Sequence, residues 1–586
     1  MNKPSQEQQN IISYALAPLS VTACAGSGKT FTAVRRVDAI RGLLESSRGH
    51  VALLSFSNVA VEVFGRNYLE RFKDVRRTGR ARVCIETFDG FVTSKILRPH
   101  ASRTMESACM PFLLTGKEAF LSNPLYQFKP PSQQYPAEVD TVEIEHKGGQ
   151  VKVSCRVFSQ TVEVQNGIQP VRRLGKLGAY THAMGRYWAY ETLKREPKIL
   201  AALAHRYPQI VVDEAQDIGS MQIALLELLA SSGSEITLIG DPNQAIFEFC
   251  GADGGYLRRY PARPGITPKD LTINYRSVPR IVAAANSLAS RTDIAHRYEP
   301  STDNGAFFLP FSDGEENKLI TAFAAAVRAA GLDLSKCAVV CRATKKKQAL
   351  RNLGQEYGQG STKLFASATM ARDLAGDYNE AFRLTAFAIV GLLKNAPQQI
   401  CAAILDPSRY HDFRGVRKLI WEFTRDSAGG LPSGSLHMQV DWHAKLLVNV
   451  KALMERLILD HQLTSQENLN MRLKKTGLPD RALIEANTER TTIDRLLRVE
   501  TIHGVKGESL DAVLYLADKD HVKAMVNGTG TELGRIGYVA LTRARDLFWL
   551  GLLRTDANTY GTALTGHKFV ERQYNAQLNL PLAPTA

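Results

Sequence analysis

A glycine-rich loop that joins an apolar run to a helical pattern near the start of the chain constrains its fold most. Residues 19–23 (LSVTA) predict a short buried strand, residues 23–30 read ACAGSGKT, and residues 29–40 have the apolar spacing of a helix. In such a unit the glycines let backbone N–H groups approach phosphate oxygens, a lysine reaches the outer phosphates, and a hydroxyl ligates Mg²⁺. We therefore expect a phosphate-binding loop in a parallel α/β sheet, with Lys29 on the phosphates and Thr30 on the metal.

A second apolar run, residues 209–212 (QIVV), ends in a pair of acids, Asp213 and Glu214. A carboxylate at the tip of a buried strand can hold Mg²⁺, and its neighbour can orient and deprotonate a water that attacks a phosphate. We expect Asp213 to take the first role and Glu214 the second. The alternatives are a solvated acidic turn here and a chance GSGKT in the glycine-rich loop.

Further short apolar runs, each followed by polar residues, alternate with helical patterns along the chain. They fall at residues 51–56, 236–239, 338–341, 512–516 and 547–550. This rhythm is typical of doubly wound parallel sheets, which collect ligands at the carboxyl ends of their strands. We expect two such sheets in one chain.

Two stretches interrupt this rhythm. Residues 123–170 are first rich in proline and then alternate as TVEIEH and QVKVSCRVF around Gly148-Gly149, which predicts a β-hairpin inserted in the first sheet domain. Residues 366–490 carry helical patterns, for example at 378–394 and 448–459, and no strand pattern. They predict a helical insertion in the second sheet domain.

The charge balance favours a polyanionic partner. Lys and Arg number 73 against 58 Asp and Glu, a net charge of +15, and a field of that sign attracts nucleic acid or an anionic surface.

At 586 residues and 44% apolar composition, the chain has core material for several domains. It contains no apolar run of about 18 residues, which excludes a membrane-spanning helix.

The cysteines and the first ten residues bear on the compartment. The eight cysteines are scattered without zinc-site spacing, so we interpret them as reduced, mostly buried thiols. Residues 1–10 (MNKPSQEQQN) are polar and lack the basic-then-apolar order of a secretion signal. A cytoplasmic location is the expectation.

Several further blocks accompany the glycine-rich loop and the acid pair, in order along the chain. They are SQEQQNII from Ser5, SFSNVAVEVF from Ser55, ETFDGF from Glu86, GDPNQAIFEF from Gly240, LTINYRS from Leu271, TIHGVKGES from Thr501 and YVALTRAR from Tyr538. Together the blocks resemble the motif set of superfamily 1A DNA helicases, the UvrD/PcrA/Rep group. The resemblance covers both expected sheet domains and leaves the two insertions unmatched.

The resemblance implies an ATP site with Mg²⁺ as cofactor, in the cleft between two RecA-like domains. Its ATP-binding residues would be Gln8, Ala25, Gly26, Ser27, Gly28, Lys29, Thr30, Tyr275 and Glu508, with Thr30 and Asp213 on the metal. Its catalytic residues would be Lys29, Glu214, Gln244, Arg276 and Arg543, the two arginines acting as fingers on the γ-phosphate. Gln8 would read the adenine edge, and Gln244 would couple the γ-phosphate to DNA.

The resemblance also implies a track for single-stranded DNA, built from stacking aromatics and phosphate-binding side chains. Its residues would be Phe56, Asn58, Thr87, Phe88, Phe247, Phe249 and His503, with Phe249 the favoured base platform. Stacking on a ring contributes about 1–3 kcal/mol per base. Basic clusters at 71–82, 345–347 and 472–475 are further candidates, against the alternative of solvated faces.

Three features depart from the family pattern. Cys250 stands where relatives have Arg, and Glu508 lies one position from the family's acid. The span between Arg276 and Thr501 is short for the second helical subdomain of the large relatives. We therefore expect that subdomain to be reduced.

Four regions follow from the resemblance. Residues 1–90 and 200–276 would form RecA-like motor domain 1A, residues 91–199 an insertion 1B with the β-hairpin, residues 277–365 and 491–586 motor domain 2A, and residues 366–490 a reduced 2B-like helical insertion.

Two functions are compatible with these residues. The first is an ATP-dependent 3′ to 5′ translocase or helicase in DNA repair, acting on single-stranded or tailed duplex DNA. The second is a DNA-stimulated or nucleotide-gated ATPase subunit that unwinds little and serves a nuclease partner, for example in anti-phage defence. A fused nuclease is disfavoured because the residues after Arg543 hold no nuclease-type acidic cluster. No membrane partner is expected.

Overall fold

The computed structural model describes most of the chain. The described residues are 3–44, 49–71, 82–107, 109–116, 118–131, 133, 135–157, 160–248, 251–298, 301, 303–350, 357–394, 396–405, 411–484 and 497–573. Of the basic cluster at 71–82, only the two end residues lie within these ranges.

Most strands are short, and we number them in chain order. They are β1 (Leu19–Ala23), β2 (Val51–Ser55), β3 (Val83–Thr87), β4 (Phe112–Leu113), β5 (Val142–Lys147), β6 (Gln150–Val157), β7 (Gln160–Glu163), β8 (Ala179–Tyr180), β9 (Gln209–Val212), β10 (Glu235–Gly240), β11 (Thr267–Leu271), β12 (Ile273–Asn274), β13 (Ile294–Ala295), β14 (Gly305–Phe311), β15 (Ala338–Cys341), β16 (Arg498–Thr501), β17 (Leu510–Leu516), β18 (Ala544–Leu553) and β19 (Val570–Glu571).

Helices separate most of these strands. Up to residue 276 they are Gln6–Ile12, Lys29–Leu43, Asn58–Arg71, Phe88–Phe91, Arg98–Thr104, Ile168–Lys176, His182–Arg195, Pro197–Arg206, Ser220–Ser231 and Gly255–Arg259, with a π-helical turn at Val92–Leu97. Beyond it they are Pro279–Ala289, Glu316–Ala329, Thr344–Leu350, Gly360–Asp373, Tyr378–Val390, Ile400–Leu405, Arg414–Arg425, His443–His461, Leu469–Arg472, Lys519–Val526, Glu532–Arg543 and Arg554–Gly566, with a π-helical turn at Met438–Trp442.

The first sheet has six strands in the order β11-β1-β10-β9-β2-β3, and all its pairings are parallel. Side chains along β2 alternate between its two faces. Val51 and Leu53 belong to the core on one face, and Ala52 and Leu54 belong to the core on the other. A parallel sheet covered on both faces buries every residue of its inner strands, which is why residues 210–212 (IVV) and 51–54 (VALL) are unbroken apolar runs.

The second sheet repeats this plan with the order β16-β15-β17-β18-β14-β19, again all parallel. Ala306 and Phe308 of β14 pack into one core, whereas Phe307 and Leu309 pack into the other. The predicted α/β class with two parallel sheets is therefore confirmed.

The predicted β-hairpin is formed by β5 and β6. Lys147 pairs with Gln150 across Gly148 and Gly149, whose φ values of 58° and 78° are those of a type I′ turn. A third strand, β7, which the sequence reading missed, pairs with β6. The apolar residues of this insertion belong to the same core as one face of the first sheet, so the insertion packs onto that sheet.

The helical insertion of the second domain has a core of its own. The helix Gly360–Asp373 crosses the expected boundary at residue 366, because Phe365 is fully buried in that core and Tyr357 packs against it. We therefore place the start of the insertion before residue 366.

The described cysteines are free thiols. Cys24, Cys155, Cys337, Cys341 and Cys401 are buried, Cys84 is half-buried and Cys109 is exposed, while Cys250 lies outside the described residues. In the described ranges, no helix combines the length and apolar character needed to cross a membrane.

Candidate functional site

The glycine-rich loop lies between β1 and the helix Lys29–Leu43. Gly26 and Gly28 have φ of +70° and +79°, a region in which glycine carries no steric penalty. The hydroxyl of Ser27 donates to the carbonyl of Cys24 at 2.9 Å. The loop thus ends at a helix N-terminus, where unpaired N–H groups and the helix dipole favour phosphate.

The segment that carries Arg276 is packed against this loop. A Cβ on Gly26 would lie 2.5 Å from Cβ of Arg276 and 2.8 Å from Oδ1 of Asn274. The N–H of Tyr275 donates to the carbonyl of Gly26 at 2.9 Å. Asn274 Oδ1 in turn accepts from the N–H groups of Arg276 and Ser277, at 2.8 and 2.9 Å. Asn274 is thus a supporting residue that the sequence reading missed, although it lies in the quoted block LTINYRS.

Gln8 supports the loop from the N-terminal helix. Gln8 is only 5% exposed, and its Nε2 donates to the carbonyl of Ser27 at 3.0 Å. Its Oε1 accepts from the N–H of Ser5 at 3.1 Å. Each end of a primary amide can make two hydrogen bonds, so one donor and one acceptor remain for the predicted adenine contact, which stays a prediction.

The acid pair follows β9 as expected, and the surroundings shift its two carboxyl groups in opposite directions. Asp213 is 2% exposed, and burial together with the charge of Glu214 raises its pKa above the usual range. Burial alone would also raise the pKa of Glu214, but the charges of Lys29, Lys506 and Arg543 and a hydrogen bond from Gln216 lower it below the usual range. The surroundings therefore favour the ionised form of Glu214, which is the form that a general base needs.

Glu214 is held by its surroundings. Its Oε2 accepts from Gln216 Nε2 at 2.6 Å and lies 4.0 Å from Nζ of Lys29. Glu214 has a φ of +54°. Such a value is uncommon for residues other than glycine, and strained backbone conformations of this kind cluster at functional sites. The backbone conformation and these two contacts fix the carboxylate beside the predicted phosphate-binding lysine.

The residues present fit a bound Mg²⁺. Oδ1 of Asp213 is buried and has no hydrogen-bond partner, an arrangement that a cation would satisfy. Mg²⁺ usually takes one or two carboxylates from a protein and completes its shell with water and phosphate. Asp213 and the hydroxyl of Thr30 would be the protein ligands.

Gln244 joins the two sheet domains. It is 1% exposed in the turn after β10, and its Nε2 donates to Oδ2 of Asp241 at 2.9 Å. Its Oε1 accepts from Nη2 of Arg543 at 2.7 Å. Arg543 is the last residue of the helix Glu532–Arg543, in the second domain. The structure therefore brings together two predicted catalytic residues that lie far apart in the sequence.

Arg276 and Arg543 carry like charges that repel each other. Burial and then the charge of Arg543 lower the pKa of Arg276 to about 9, and burial also lowers the pKa of Arg543. Arg276 Nη1 donates to the carbonyl of Thr542 at 2.9 Å, and Arg543 Nε is buried without a hydrogen-bond partner. A polyanion between the domains would relieve the repulsion and accept that hydrogen bond.

Tyr275 and Glu508 have other contacts in the structure. The ring of Tyr275 packs at 44° to that of His296, with centroids 4.9 Å apart. The carboxylate of Glu508 pairs with Arg498 at 2.5 Å, and its backbone carbonyl accepts from Arg543 at 3.2 Å. The predicted ATP-binding roles of these two residues stay predictions.

The predicted DNA residues after β2 and β3 differ in exposure. Phe88 is 4% exposed and lies in the core of the first domain, stacked on half-buried Phe56 with ring centroids 6.1 Å apart. Its buried ring offers little face for a base, which argues against the stacking role. Thr87 caps the helix Phe88–Phe91 by accepting from Gly90, at 2.9 Å. Asn58 is exposed at the start of its helix.

Phe247 and His503 meet where the two domains touch. Their ring centroids are 5.5 Å apart, and Nζ of Lys506 lies 4.5 Å from the centroid of Phe247. Burial lowers the pKa of His503. The favoured base platform, Phe249, lies outside the described residues, as does Cys250.

Two further residues near the predicted motifs were missed by the sequence reading. Lys506 Nζ donates to both carboxylate oxygens of Asp217, at 2.7 and 2.6 Å, and to the carbonyl of Gln244 at 2.8 Å. Gln216 links the acid pair to the next strand, because its Oε1 accepts from the N–H of Asp241 at 3.0 Å. The sequence signals were the place of Lys506 in the block TIHGVKGES and the place of Gln216 two residues after the acid pair.

The basic clusters are partly neutralised. Lys346 pairs with Asp518 at 2.6 Å, and Lys347 pairs with Glu500 at 2.5 Å. Arg472 donates to Oε1 of Gln466 at 3.1 Å. These contacts favour the solvated-face alternative for the paired lysines, and a DNA contact at either cluster stays a prediction.

Comparison with known proteins agrees with this geometry. A family model described as the UvrD/REP helicase N-terminal domain matches residues 4–147 and 179–261. The first domain is thus similar to a UvrD/REP helicase N-terminal domain. The match contains the glycine-rich loop, the acid pair and Gln244, and it leaves out residues 148–178, which include β6 and β7.

Two curated proteins to which this chain is similar are DNA helicases by name. DNA helicase II of Escherichia coli (strain K12) is 23% identical over 362 residues, 59% of this chain and 49% of that protein. ATP-dependent DNA helicase PcrA of Staphylococcus aureus (strain Mu50) is 25% identical over 301 residues, 49% of this chain and 40% of that protein. The chain spans about half the length of the relatives it matches, or less.

Proposed function

We propose that the protein is an ATP-dependent translocase or helicase that moves 3′ to 5′ on single-stranded DNA. The observation that carries the proposal is the meeting of Lys29, Glu214 and Gln244 of the first domain with Arg543 of the second. Groups from two domains at one phosphate site make hydrolysis depend on domain closure. The UvrD/REP-type domain and the names of the relatives support the same conclusion.

In this proposal each residue has one task. Lys29 and the glycine-rich backbone hold the outer phosphates, while Asp213 and Thr30 hold Mg²⁺, which neutralises phosphate charge when bound. Ionised Glu214 orients the attacking water and accepts its proton. Arg276 and Arg543 stabilise the charge that builds up on the transferred phosphoryl group. Gln244 connects that group to Arg543 and so reports the nucleotide state to the second domain.

The proposed domain division follows from the two sheets. Motor domain 1A would comprise residues 1–90 and 200–276, with 91–199 as an insertion on it. Motor domain 2A would take the rest, interrupted by a reduced helical insertion that starts before residue 366. DNA would cross both motor domains near Phe247 and His503, whose rings lie at their boundary.

A second candidate is a DNA-stimulated ATPase subunit that unwinds little and serves a nuclease. The observation that favours it is the segment 148–178, which the family model leaves unmatched and which adds strands to the first domain. Such an addition is a natural contact for another subunit.

One set of measurements tests the proposal and separates the two candidates. Phosphate release is measured with and without single-stranded DNA, beside strand displacement on duplexes with a 3′ or a 5′ tail. The proposal requires DNA-stimulated hydrolysis and displacement of the 3′-tailed duplex only. Strong DNA-stimulated hydrolysis without displacement of either duplex would favour the second candidate.

Site variants show whether the hydrolysis comes from this site. Lys29→Ala and Glu214→Gln are expected to abolish turnover. Lys318→Ala is the control, because Lys318 is 62% exposed and pairs with Glu315, the N-cap residue of its own helix, at 3.0 Å. Retained hydrolysis in Lys29→Ala or Glu214→Gln would refute the assignment of the site.

A further inference from the structure

Arg276 and Arg543, which the proposed function places on the γ-phosphate, lie on chain segments that run side by side. Nη1 of Arg276 donates to the carbonyl of Thr542 at 2.9 Å. One residue further on, the hydroxyl of Ser277 donates to the carbonyl of Ala544, the first residue of β18, at 2.6 Å. The segment that carries one arginine is thus bonded to the end of the helix that carries the other.

The charges of the two arginines oppose this arrangement. Burial and then the charge of Arg543 lower the pKa of Arg276, and repulsion between like charges is strong where little water screens it. A site that holds both guanidinium groups at one phosphoryl group therefore needs contacts that keep the two segments together when no polyanion lies between them.

Arg297 makes such contacts with both segments. Its Nη1 donates to the carbonyl of Arg276 at 2.8 Å and to the carbonyl of Arg545, two residues after Arg543, at 3.2 Å. Its Nη2 donates to Oδ1 of Asp546 at 2.6 Å. The side chains of Arg297 and Asp546 are 25% and 9% exposed, so the ion pair is partly shielded from water. One guanidinium therefore bridges the backbones that carry the two arginines.

A short pair of strands fixes the place of Arg297. β13 pairs in parallel with β12, which ends at Asn274. The N–H of His296 donates to the carbonyl of Asn274 at 2.9 Å, and the ring of His296 packs on that of Tyr275 with centroids 4.9 Å apart. Arg297 is next in the chain, so its backbone is held in register with the residues just before Arg276.

We propose that Arg297 is a positioning residue that sets the separation of Arg276 and Arg543. A planar guanidinium suits this task, because it can donate to carbonyl oxygens and to a carboxylate at once in fixed directions. The two arginines are then in place before nucleotide binds, so little reorganisation is left for the transition state. Arg297 lies outside every block quoted from the sequence. The inference rests on the proposed function, because it concerns how that site stabilises the transferred phosphoryl group.

A split between turnover and binding tests this role. Arg297→Met keeps an unbranched apolar stem and removes the donors. Because the two arginines act on charge that develops in the transition state, we expect the kcat for ATP hydrolysis to fall about 10- to 100-fold while the KM for ATP changes by less than about threefold. Arg297→Lys keeps the charge but not the fork, and should recover part of the loss.

Arg572→Met is the matched control. Arg572 belongs to the same domain, its side chain is 30% exposed, and it pairs with Asp303 at 2.9 Å, just after the edge strand β19. Its kcat is expected to stay at the wild-type value. A loss of kcat in Arg572→Met equal to that in Arg297→Met would overturn the proposal, because it would show a general effect of removing a partly exposed arginine.

A transition-state analogue gives a second reading that does not depend on turnover. ADP with aluminium fluoride imitates the transferred phosphoryl group, so its affinity should fall in Arg297→Met together with kcat, while the affinity for ADP alone changes by less than about threefold. Equal losses of affinity for both ligands would overturn the positioning role and assign Arg297 to nucleotide binding in general.

A double-mutant cycle shows whether Arg297 acts through Arg543. Residues that act as a unit have effects that do not multiply, so the factor by which Arg297→Met lowers kcat should be at least about threefold smaller in Arg543→Ala than in the wild-type background. The same factor in both backgrounds would overturn the proposal.

The outcomes separate this inference from the proposed function. Wild-type hydrolysis that is not stimulated by DNA would count against the proposed function and leave this test intact, whereas an unchanged kcat in Arg297→Met would overturn the inference alone. Removing one partner of an ion pair leaves the other charge uncompensated, so the melting temperature of each variant is measured. If Arg297→Met does not fold, Asp546→Asn takes its place. It keeps an acceptor for Arg297 without the charge, and should show the same split with a smaller loss of kcat.

Discussion

The guanidinium of Arg543 donates a hydrogen bond of 2.7 Å to Oε1 of Gln244, and this bond crosses from one parallel-sheet domain to the other. Gln244 is anchored in turn on Asp241, at the carboxyl end of β10. The arginine side chain is 2% exposed and keeps Nε without a partner. It is thus held in place by the first domain while one of its donors is still available to a ligand.

Arg543→Ala should reduce the kcat for ATP hydrolysis by about 10²- to 10³-fold, the usual effect of removing one donor from developing transition-state charge. Arg543→Lys should recover little, because a single ammonium does not reproduce the fork that reaches both Gln244 and the carbonyl of Glu508. Steady-state phosphate release measures both. Arg545→Ala is the control, since Arg545 is 45% exposed and lies 3.5 Å from Asp511. Equal, small losses in Arg543→Ala and Arg545→Ala would contradict the finger role.

Gly26→Ala should disrupt the glycine-rich loop. The new methyl group would meet Arg276 Cβ at 2.5 Å and Asn274 Oδ1 at 2.8 Å, at a φ of +70° that alanine adopts only with strain. The expected result is a rise of at least about tenfold in the Kd for ATP, which corresponds to about 1.4 kcal/mol. Nucleotide titration with a fluorescent ATP analogue measures it.

Gly42→Ala provides the matched control for that change. Gly42 lies in the helix that follows the loop, and a Cβ there meets nothing within 4 Å. Alanine is favoured over glycine in a helix by about 1 kcal/mol, so the melting temperature should stay the same or rise. Loss of ATP binding in Gly42→Ala would show that the helix itself, and not the loop, is the sensitive element.

Phe88→Ala should mainly lower stability, whereas Phe247→Ala should mainly weaken the stimulation of hydrolysis by DNA. Phe88 is 4% exposed in the core, and truncating a buried phenylalanine costs about 3–5 kcal/mol, so its main effect is a lower melting temperature. Phe247 is half-buried at the domain boundary, so its loss should weaken DNA stimulation of hydrolysis with a smaller change in stability. A melting curve and a titration with oligo(dT) separate the two. The reverse pattern would return the DNA role to Phe88.

The carboxyl of Asp217 should give stability a pH dependence. Burial, helped by the negative charge of Glu214, raises the pKa of Asp217 to about 6. The positive charges of Lys506 and Lys29 act in the opposite direction but do not cancel this rise. Between the ordinary value near 4 and about 6, the folded protein holds a proton that the unfolded chain releases, so this carboxyl stabilises the fold less as the pH rises through that window. The melting temperature of wild type minus that of Asp217→Asn should therefore fall from about pH 4 to about pH 7. A difference that does not vary with pH would contradict the raised pKa.

Local patterns predicted the parts of the fold that depend on local sequence. Residues 19–23, 209–212 and 338–341 form β1, β9 and β15, because an inner strand of a parallel sheet is apolar on both faces. β11 (TPKDL) was missed because its residues are mostly polar. It is an edge strand, where proline and charged residues are tolerated and the pairing partner decides the conformation.

The candidate site likewise has one part that the sequence predicts and one part that only the fold reveals. The residues of the loop and the acid pair are contiguous in sequence, so their chemistry could be predicted from spacing. The Lys506–Asp217 pair joins residues 289 positions apart, and nothing in either segment alone specifies the other. The burial of Phe88 likewise follows from helices and strands that pack over it, and not from its own motif.

The register of the second sheet has a consequence for how this chain can diversify. β15 ends at Cys341 and β16 begins at Arg498, and the helical insertion lies in the chain between them. The two strands are parallel neighbours in which Ala338 pairs with Arg498 and Cys341 with Thr501, so the chain leaves the second sheet at the carboxyl end of β15 and re-enters it at the amino end of β16. The insertion is thus part of one crossover connection between adjacent parallel strands, and a module in such a connection can be lengthened, trimmed or exchanged without displacing any strand. Substrate preference and partner choice can thus evolve there while the hydrolytic machinery stays unaltered.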